Sequence, residues 1–299
     1  MSKLNKNHGH IALFVANFIF GLNTPITRSI VPQTIDPFVM TFFRMFGAAI
    51  LFWSASLFVK KEHVPQKDII KFFFAAVFAI VLNQTAFIYG LSKTSPIDAS
   101  LVITLLPIVT MILAAIIIKE PITFKKAIGV IIGASGALIL ILGGNKNGGS
   151  SSFAGNLIVL SSVFSFALYL TLFKDLITKY SPITAMKWMF LFAAILTVPI
   201  SYKMLAVTNF SAFETSKILR IIYIVVLATF FTYMLIPIGQ KTLRPTTVSM
   251  YNYLQPIVAS FATVILGLDK FGADKILSAT LVFIGVYLVT QSKSRSGLA

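Results

Sequence analysis

Polar side chains are rare in the long apolar runs of this sequence, and they are the groups there that could do chemistry. A polar group in an apolar surrounding is costly unless it faces protein or water, so each is a candidate for function. We expect nine of them to bind a small polar solute: Asn23, Asn83, Gln84, Thr104, Tyr169, Thr232, Tyr233, Asn252 and Tyr253. Alternatively, they only bridge neighbouring helices, at about 0.6 kcal/mol per bond.

Two prolines each come after a pair of polar residues, with the same spacing in both places. Ser100, Thr104 and Pro107 lie at i, i+4 and i+7, which places them on one face of a helix. The spacing recurs further along the chain at Ser249, Tyr253 and Pro256. Because a proline within a helix removes a backbone hydrogen bond and kinks it, we expect both prolines to be hinges. Alternatively, they only shape a static bundle.

Arg44 is a basic residue that lies too deep in its apolar run to reach the polar boundary freely. Its guanidinium could contact an anionic group of a solute. It could also tie helices together through backbone carbonyls, which accept hydrogen bonds from arginine. We favour the structural role.

The residues that are missing limit the chemistry. The sequence has no cysteine, and its three histidines and nine acidic residues fall in loops or at the ends of the apolar runs. Thiol chemistry is excluded, and we expect no metal site and no cofactor. An enzyme within the apolar runs would need paired acids, a histidine cluster or an activated serine, so a membrane enzyme is only a remote alternative.

The composition indicates whether these polar groups are surrounded by water or by lipid. Hydrophobic residues make up 57% of the 299 residues and charged residues only 11%, whereas soluble domains carry about 25% charged residues. The apolar residues come in blocks of the length that crosses a bilayer as a helix. We predict an all-α integral membrane protein with ten spans: Ile11–Ile30, Pro37–Val59, Ile69–Leu91, Ala99–Ile118, Ala127–Leu142, Ala154–Phe173, Ile183–Met204, Lys217–Gln240, Thr246–Leu268 and Gly272–Thr290.

The basic residues predict how these spans are oriented. Alternating the spans from a cytoplasmic N-terminus puts most of the 25 Lys and Arg residues on the cytoplasmic side. We therefore predict a multi-pass protein of the plasma membrane, the inner membrane in a bacterium, with both termini in the cytoplasm. The first apolar run shows no signal-peptide cleavage site, so we expect it to be retained. The net charge of +16 fits loops facing anionic lipid better than nucleic acid.

The chain contains an internal repeat. A shift of 149 positions aligns residues 90–142 with 239–291 without a gap, matching prolines and glycines in one register. The Gly- and Ser-rich stretch Gly143–Ser152 falls between the fifth and sixth spans. We predict two five-helix repeats, residues 1–146 and 147–299. Because each repeat has an odd number of helices, the two halves would be inverted relative to each other.

These features resemble the EamA family of the drug/metabolite transporter superfamily. The resemblance rests on the ten-helix pattern, Arg44 in the second span and the elbow KEPITFKKAIGVIIGASGAL. The second repeat departs from the elbow, with Asp269-Lys270 opposite Glu120-Pro121. The resemblance implies an exporter or facilitator with a central cavity between the halves. The small multidrug members of the superfamily use an intramembrane glutamate for proton coupling, which is missing here, so we expect weak or no coupling.

The expected solutes are small metabolites, above all amino acids or similar zwitterionic or neutral molecules, moved by alternating access. The alternatives are a drug, a nucleotide sugar or a sugar phosphate. A phosphate should draw several basic residues into the cavity, and Arg44 is the one candidate. The expected partners are the solute and the lipid bilayer, with no nucleic acid; the protein would be a monomer or a homodimer. Gly129 and Gly133 permit close helix approach, and we expect packing within the first half rather than a dimer seam.

Overall fold

The structure, a computed structural model, describes residues 5–94, 99, 102–143, 152–208, 213–265 and 273–292. Helices account for nearly all of this part of the chain, which contains no strand. The helices are α1 (Lys6–Arg28), α2 (Pro37–Ser56), α3 (Gln66–Lys93), α4 (Leu106–Ile117), α5 (Phe124–Gly143), α6 (Phe153–Leu172), α7 (Lys174–Lys179), α8 (Pro182–Val207), α9 (Thr215–Thr242), α10 (Pro245–Met250), α11 (Leu254–Ile265) and α12 (Ala273–Thr290). The predicted boundary between the repeats, like Ser100 and Asp269, lies outside the described residues.

Six of the described helices are long and apolar enough to cross a membrane, namely α1, α2, α3, α6, α8 and α9. Two shorter apolar helices are Leu106–Ile117 and Ile276–Thr290. The outer surface carries large apolar side chains, with Phe58 88% and Phe153 79% exposed. A surface of this kind is suited to lipid and not to water, which agrees with the predicted membrane protein. The full count of ten spans remains a prediction.

Local sequence signals explain where several helices begin. Asp36 precedes α2, and its carboxylate accepts a hydrogen bond from the backbone N–H of Phe38 at 2.8 Å. Ser181 precedes α8 and accepts from the N–H of Thr184 at 3.2 Å. In both helices a proline occupies the first turn, where its missing N–H costs nothing.

Helices α3 and α9 each contain a π-helical segment, at Val77–Leu82 and Tyr223–Phe231 respectively. When the chain is shifted by 149 residues, the first segment aligns with the last six residues of the second. In each helix the segment ends directly before a predicted polar pair, Asn83-Gln84 in α3 and Thr232-Tyr233 in α9. Widened helical turns often occur at functional sites, so the two repeats share a backbone irregularity beside their polar residues.

Both prolines expected to kink a helix lie directly after an interruption in the α-helical pattern. Residues Thr104 and Leu105 form a turn, and α4 starts at Leu106, directly before Pro107. A 3₁₀ turn at Tyr251–Tyr253 precedes α11, whose third residue is Pro256. The α-helical hydrogen bonding is therefore interrupted directly before each proline, where the proline removes a backbone N–H, while Leu105 and Leu254 keep helical backbone angles.

The packing of helices joins the two halves of the chain. Helix α1 packs on α9 and α11, and its counterpart α6 packs on α3 and α4. Counterpart helices also contact each other directly: α2 packs on α8, and α5 packs on α12. A core cluster around Phe52, Phe72 and Phe190 lies where α2, α3 and α8 meet.

Glycines allow the closest of these contacts. A Cβ added to Gly285 of α12 would lie 2.6 Å from the carbonyl oxygen of Gly129 in α5, and one added to Gly133 would lie 2.8 Å from the Tyr253 ring. Neither position can accept a larger side chain without movement of the backbone or ring. The expected packing of Gly129 and Gly133 within the first half is therefore wrong, because their partners belong to the second.

The long helices run between two ends of the bundle. We name one the Glu120 end, where Glu62, Asp68 and Glu120 lie, and the other the Arg220 end, where Arg220 contacts Ser29.

Both the beginning of α1 and the end of α12 lie at the Glu120 end. Gly9 of α1 is next to Thr242, and Arg244 donates to the carbonyl oxygen of Ser292 at 2.7 Å. The side of the membrane that this end faces remains a prediction.

Candidate functional site

A cavity of about 90 Å³ lies between the helices, where α1, α2, α3, α4, α6, α9 and α11 come together. Six of the residues singled out by sequence line it: Asn23, Arg44, Asn83, Gln84, Tyr233 and Asn252. The walls also include Ser162 and Gln255, together with the aromatic rings of Phe20, Phe87 and Phe166. Polar groups from helices far apart in sequence thus converge on one space.

One wall is a hydrogen-bonded chain across the repeats. The Gln84 Nε2 group donates to the Tyr233 hydroxyl oxygen at 2.6 Å and to Asn83 Oδ1 at 3.0 Å. Asn83 Nδ2 donates to the backbone carbonyl of Ser162 at 2.9 Å. Gln84 and Tyr233 are 149 residues apart, so this bond joins equivalent positions of α3 and α9.

A second wall is built on residues that sequence reasoning missed. Gln255 Nε2 donates to Asn252 Oδ1 at 2.8 Å and to Asn17 Oδ1 at 2.9 Å, which connects the start of α11 to α1. The repeat counterpart of Gln255 is the apolar Leu106, so a search for matched polar pairs passes over it. Its position three residues after Asn252, on the same helical face, was the signal that could have found it.

Arg44 is 1% exposed and lines the cavity while joining two helices. Its Nε donates to the Thr229 hydroxyl oxygen at 2.9 Å, and its Nη2 donates to the carbonyl oxygen of Ala228 at 3.3 Å. Both acceptors belong to the π-helical segment of α9. The structural tie favoured from sequence is therefore present, and the side chain also borders the cavity.

Four predicted residues lie outside the cavity lining, and each has another contact. The Tyr169 hydroxyl donates to Gln240 Oε1 at 2.9 Å, and the Thr232 hydroxyl donates to the Ala228 carbonyl at 3.0 Å. Tyr253 packs against Gly133 of α5, and Thr104 is buried in the turn before α4. Sequence periodicity groups residues by helix face but does not determine which face meets the cavity.

Among the residues that the structure describes, the cavity lining contains no acid, histidine or lysine. Among the described residues, no group of three or more His, Asp or Glu could hold a metal ion. The lining can therefore bind a solute through amides, hydroxyls and one guanidinium, but it offers no pair of groups for acid–base or nucleophilic chemistry.

A helical membrane protein with a polar cavity between its helices has the construction of a solute transporter. Comparison with known proteins gives the same class. The chain belongs to the EamA-like transporter family, whose model matches it twice, over residues 7–142 and 153–291. This family is part of the drug/metabolite transporter superfamily, and the protein is a membrane transporter of that kind.

Relatives and solved structures extend over nearly the whole chain. An uncharacterized transporter of Archaeoglobus fulgidus is 25% identical over 87% of this chain and 90% of its own length. The uncharacterized transporter YcxC of Bacillus subtilis is 26% identical over 96% of this chain and 94% of its own. A solved crystal structure shares the fold with a TM-score of 0.75 at 15% identity, covering 94% of this chain and 96% of that chain.

Proposed function

We propose that this protein moves small zwitterionic or neutral metabolites, above all amino acids, across the plasma membrane by alternating access. The observation that carries the proposal is the central cavity, whose polar lining is uncharged except for Arg44 over the residues that the structure describes. Amides and hydroxyls hold a polar solute without the strong binding that would prevent its release. The protein would expose this cavity to each side of the membrane in turn.

The proposed mechanism needs two similar halves, which we assign to residues 1–146 and 147–299 as inverted five-helix repeats. Support comes from the two matches of the family model and from the helix breaks before Pro107 and Pro256. Transporter sites are typically built on discontinuous helices of this kind. We further propose ten spans with both termini in the cytoplasm, in agreement with the distribution of basic residues.

The size of the cavity and the charge of its lining argue against the alternative substrates and against an enzyme. Drug-sized ligands occupy pockets of about 300–1,000 Å³, several times the 90 Å³ of this cavity. A sugar phosphate or nucleotide sugar would need several cations, and Arg44 is the one basic residue among the described lining residues. A membrane enzyme would need reactive groups that the lining lacks. A small amino acid fits both limits.

We propose that transport is not coupled to protons. A coupled carrier needs a group in the cavity that gains and loses a proton during the cycle, usually a carboxylate or histidine. The described part of the lining contains neither a carboxylate nor a histidine. The solute's own gradient would then drive net flux.

The test is efflux from proteoliposomes loaded with a labelled mixture of amino acids, with and without a pH gradient. We expect selective, saturable loss that ignores the gradient. Asn83→Ala should reduce the rate, whereas Ser135→Ala, on an exposed position of α5, should not. Loss that requires the gradient would contradict the uncoupled mechanism, and retention of every amino acid would contradict the substrate class.

The prolines give a separate test of alternating access. We propose that the breaks before Pro107 and Pro256 are hinges, because the backbone there lacks regular helical bonding. Pro107→Ala and Pro256→Ala should slow transport while protein amounts in the membrane stay unchanged. Unchanged rates in both variants would contradict the hinge role.

A further inference from the structure

Backbone carbonyl groups determine how the amide side chains around the cavity are oriented, and therefore which of their atoms can accept a hydrogen bond from a solute. Three asparagine side chains each donate to a main-chain carbonyl: Asn17 to Leu13 at 2.9 Å, Asn83 to Ser162 at 2.9 Å and Asn252 to Ser249 at 3.0 Å. A carbonyl oxygen only accepts hydrogen bonds, so each asparagine must present its NH₂ group to it. The side-chain oxygen of each asparagine therefore points to its other neighbour.

That neighbour is a glutamine in every case. Asn83 Oδ1 faces Gln84, while Asn17 Oδ1 and Asn252 Oδ1 both face Gln255. Two oxygens cannot share a hydrogen bond without a proton between them, so each glutamine must present its NH₂ group to the asparagines. Reversing either glutamine would put amide oxygens against each other. The orientation of both amides thus follows from the bonding network.

The remaining atom of each glutamine amide is its carbonyl oxygen. No described residue donates a hydrogen bond to Oε1 of Gln84 or Gln255, and both residues line the cavity. Gln84 is 8% exposed. The lining thus has two acceptors with no donor from the described protein.

Arg44 supplies hydrogen-bond donors and a positive charge to the same cavity. In the described part of the chain no carboxylate lies within 4.0 Å of its guanidinium. Two of its nitrogens are bonded to α9, and Nη1 has no hydrogen bond to a described residue. A buried charge without a counter-charge is unfavourable, and an anionic group in the cavity would offset that.

We propose that the cavity selects solutes carrying both a carboxylate and an ammonium group. The Arg44 guanidinium receives the carboxylate, and the carbonyl oxygens of Gln84 and Gln255 receive the ammonium N–H groups. This inference rests on the proposed function and narrows its substrates from zwitterionic or neutral metabolites to zwitterions alone. It also makes Arg44 and Gln255 residues that determine specificity.

Binding of three matched probes tests whether the cavity recognises both charged groups, and it does not require transport. The probes are alanine, which has both groups; ethylamine, which lacks the carboxylate; and propionate, which lacks the ammonium group. A ligand that binds the folded protein raises its thermal unfolding midpoint. We expect purified protein to bind alanine more tightly than propionate, and ethylamine least. Equal binding of alanine and ethylamine would overturn the inference.

Variants separate binding from structure. Arg44→Gln should weaken alanine binding about 10- to 100-fold, the effect of losing a charged hydrogen bond. Thr229→Val removes an acceptor of Arg44 but keeps the charge, so it should keep the order of the three probes. If both variants lower the midpoint equally and leave that order unchanged, Arg44 is only structural. Should Arg44→Gln not fold, Arg44→Lys keeps the charge and should retain the preference for alanine over ethylamine.

Gln255→Met tests the second part of the site with nearly constant side-chain volume. It should weaken alanine about 10- to 100-fold, the range for a hydrogen bond to a charged group, and leave propionate unchanged. An equal effect on both probes would overturn the role of Gln255. If the liposomes release other solutes while alanine, ethylamine and propionate do not shift the midpoint, this inference fails and the transporter stands. No release of any labelled solute would contradict the proposed function itself.

Discussion

The two ends of the bundle are closed in different ways. At the Glu120 end, Lys126 Nζ lies 2.8 Å from Glu120 Oε1, and both side chains are almost fully buried. The same carboxylate has Arg244 Nε at 3.8 Å and accepts a hydrogen bond from Thr246 at 3.4 Å. At the Arg220 end, Arg220 donates to the Ser29 hydroxyl oxygen at 2.8 Å in an exposed position.

Two more carboxylates lie at the Glu120 end. Asp68 at the start of α3 accepts from Lys179 Nζ and from the Tyr180 hydroxyl, each at 2.5 Å. Glu62 accepts from the backbone N–H of Ser181 at 2.9 Å and from its hydroxyl at 2.8 Å, directly before α8. Every one of these carboxylates belongs to the first half of the chain and bonds to the second.

Burial decides what these ties contribute. Removing one partner of a buried ion pair costs about 3–5 kcal/mol, because the other charge is left without compensation. An exposed pair contributes about 0–1 kcal/mol. Among the described residues, the cross-half bonds to Asp68, Glu62 and Glu120 at the Glu120 end are buried or partly buried, whereas the cross-half bond between Arg220 and Ser29 is exposed. We expect opening of the Glu120 end to be the more demanding conformational step.

The largest effect should come from Glu120→Ala. Lys126, whose side chain is 0% exposed, would keep a buried charge without its partner, so the free energy of unfolding should fall by about 3–5 kcal/mol. Denaturant unfolding in detergent measures it. The double variant Glu120→Gln, Lys126→Met should recover part of the loss. A single-variant effect below about 1 kcal/mol would contradict the comparison.

The Glu62 tie should be smaller and should depend on pH. Burial raises the pKa of Glu62, but hydrogen bonds from Thr184 and Ser181 outweigh this and hold it below the ordinary value of 4.5. Its stabilising contribution is therefore fully present above about pH 4.5 and is lost as the pH falls through the lowered pKa of the folded state.

Glu62→Gln at pH 7 should lower the free energy of unfolding by about 1 kcal/mol, because its hydrogen bonds are only partly buried. The difference between Glu62→Gln and the parent protein should shrink as the pH is lowered below 4.5. Thermal midpoints of the two proteins over a pH series measure this. A difference that grows on acidification would show that the sign is wrong.

The smallest effect should come from Arg220→Ala, at most about 0.5 kcal/mol, because its bond to Ser29 is exposed. Glu214→Ala is the matched control at the same end, since the Glu214 carboxylate contacts only Lys217 of its own helix at 3.7 Å in the described structure. A loss for Arg220→Ala comparable to that for Glu120→Ala would remove the distinction between the ends.

Some of the site could be predicted because polar groups stand out in an apolar sequence. Asn83, Gln84 and Tyr233 were recognisable from their position in apolar runs and from the repeat, and the structure brings them to one cavity. Gln255 was not, because its repeat counterpart is apolar. Tyr169 matched the same criteria, yet its hydroxyl is bonded to Gln240 away from the cavity lining.

The sequence by itself determined that the protein lies in a membrane, that it is helical and which family it resembles. These properties depend on composition, on the length of the apolar runs and on repeated residue types. Only the tertiary structure decided which polar groups share a cavity, which glycines pack across the halves and which carboxylates are buried at one end. Helix periodicity states which residues lie on one face of a helix. The neighbour that covers that face comes from residues far away in the chain, as Gly285 does for Gly129.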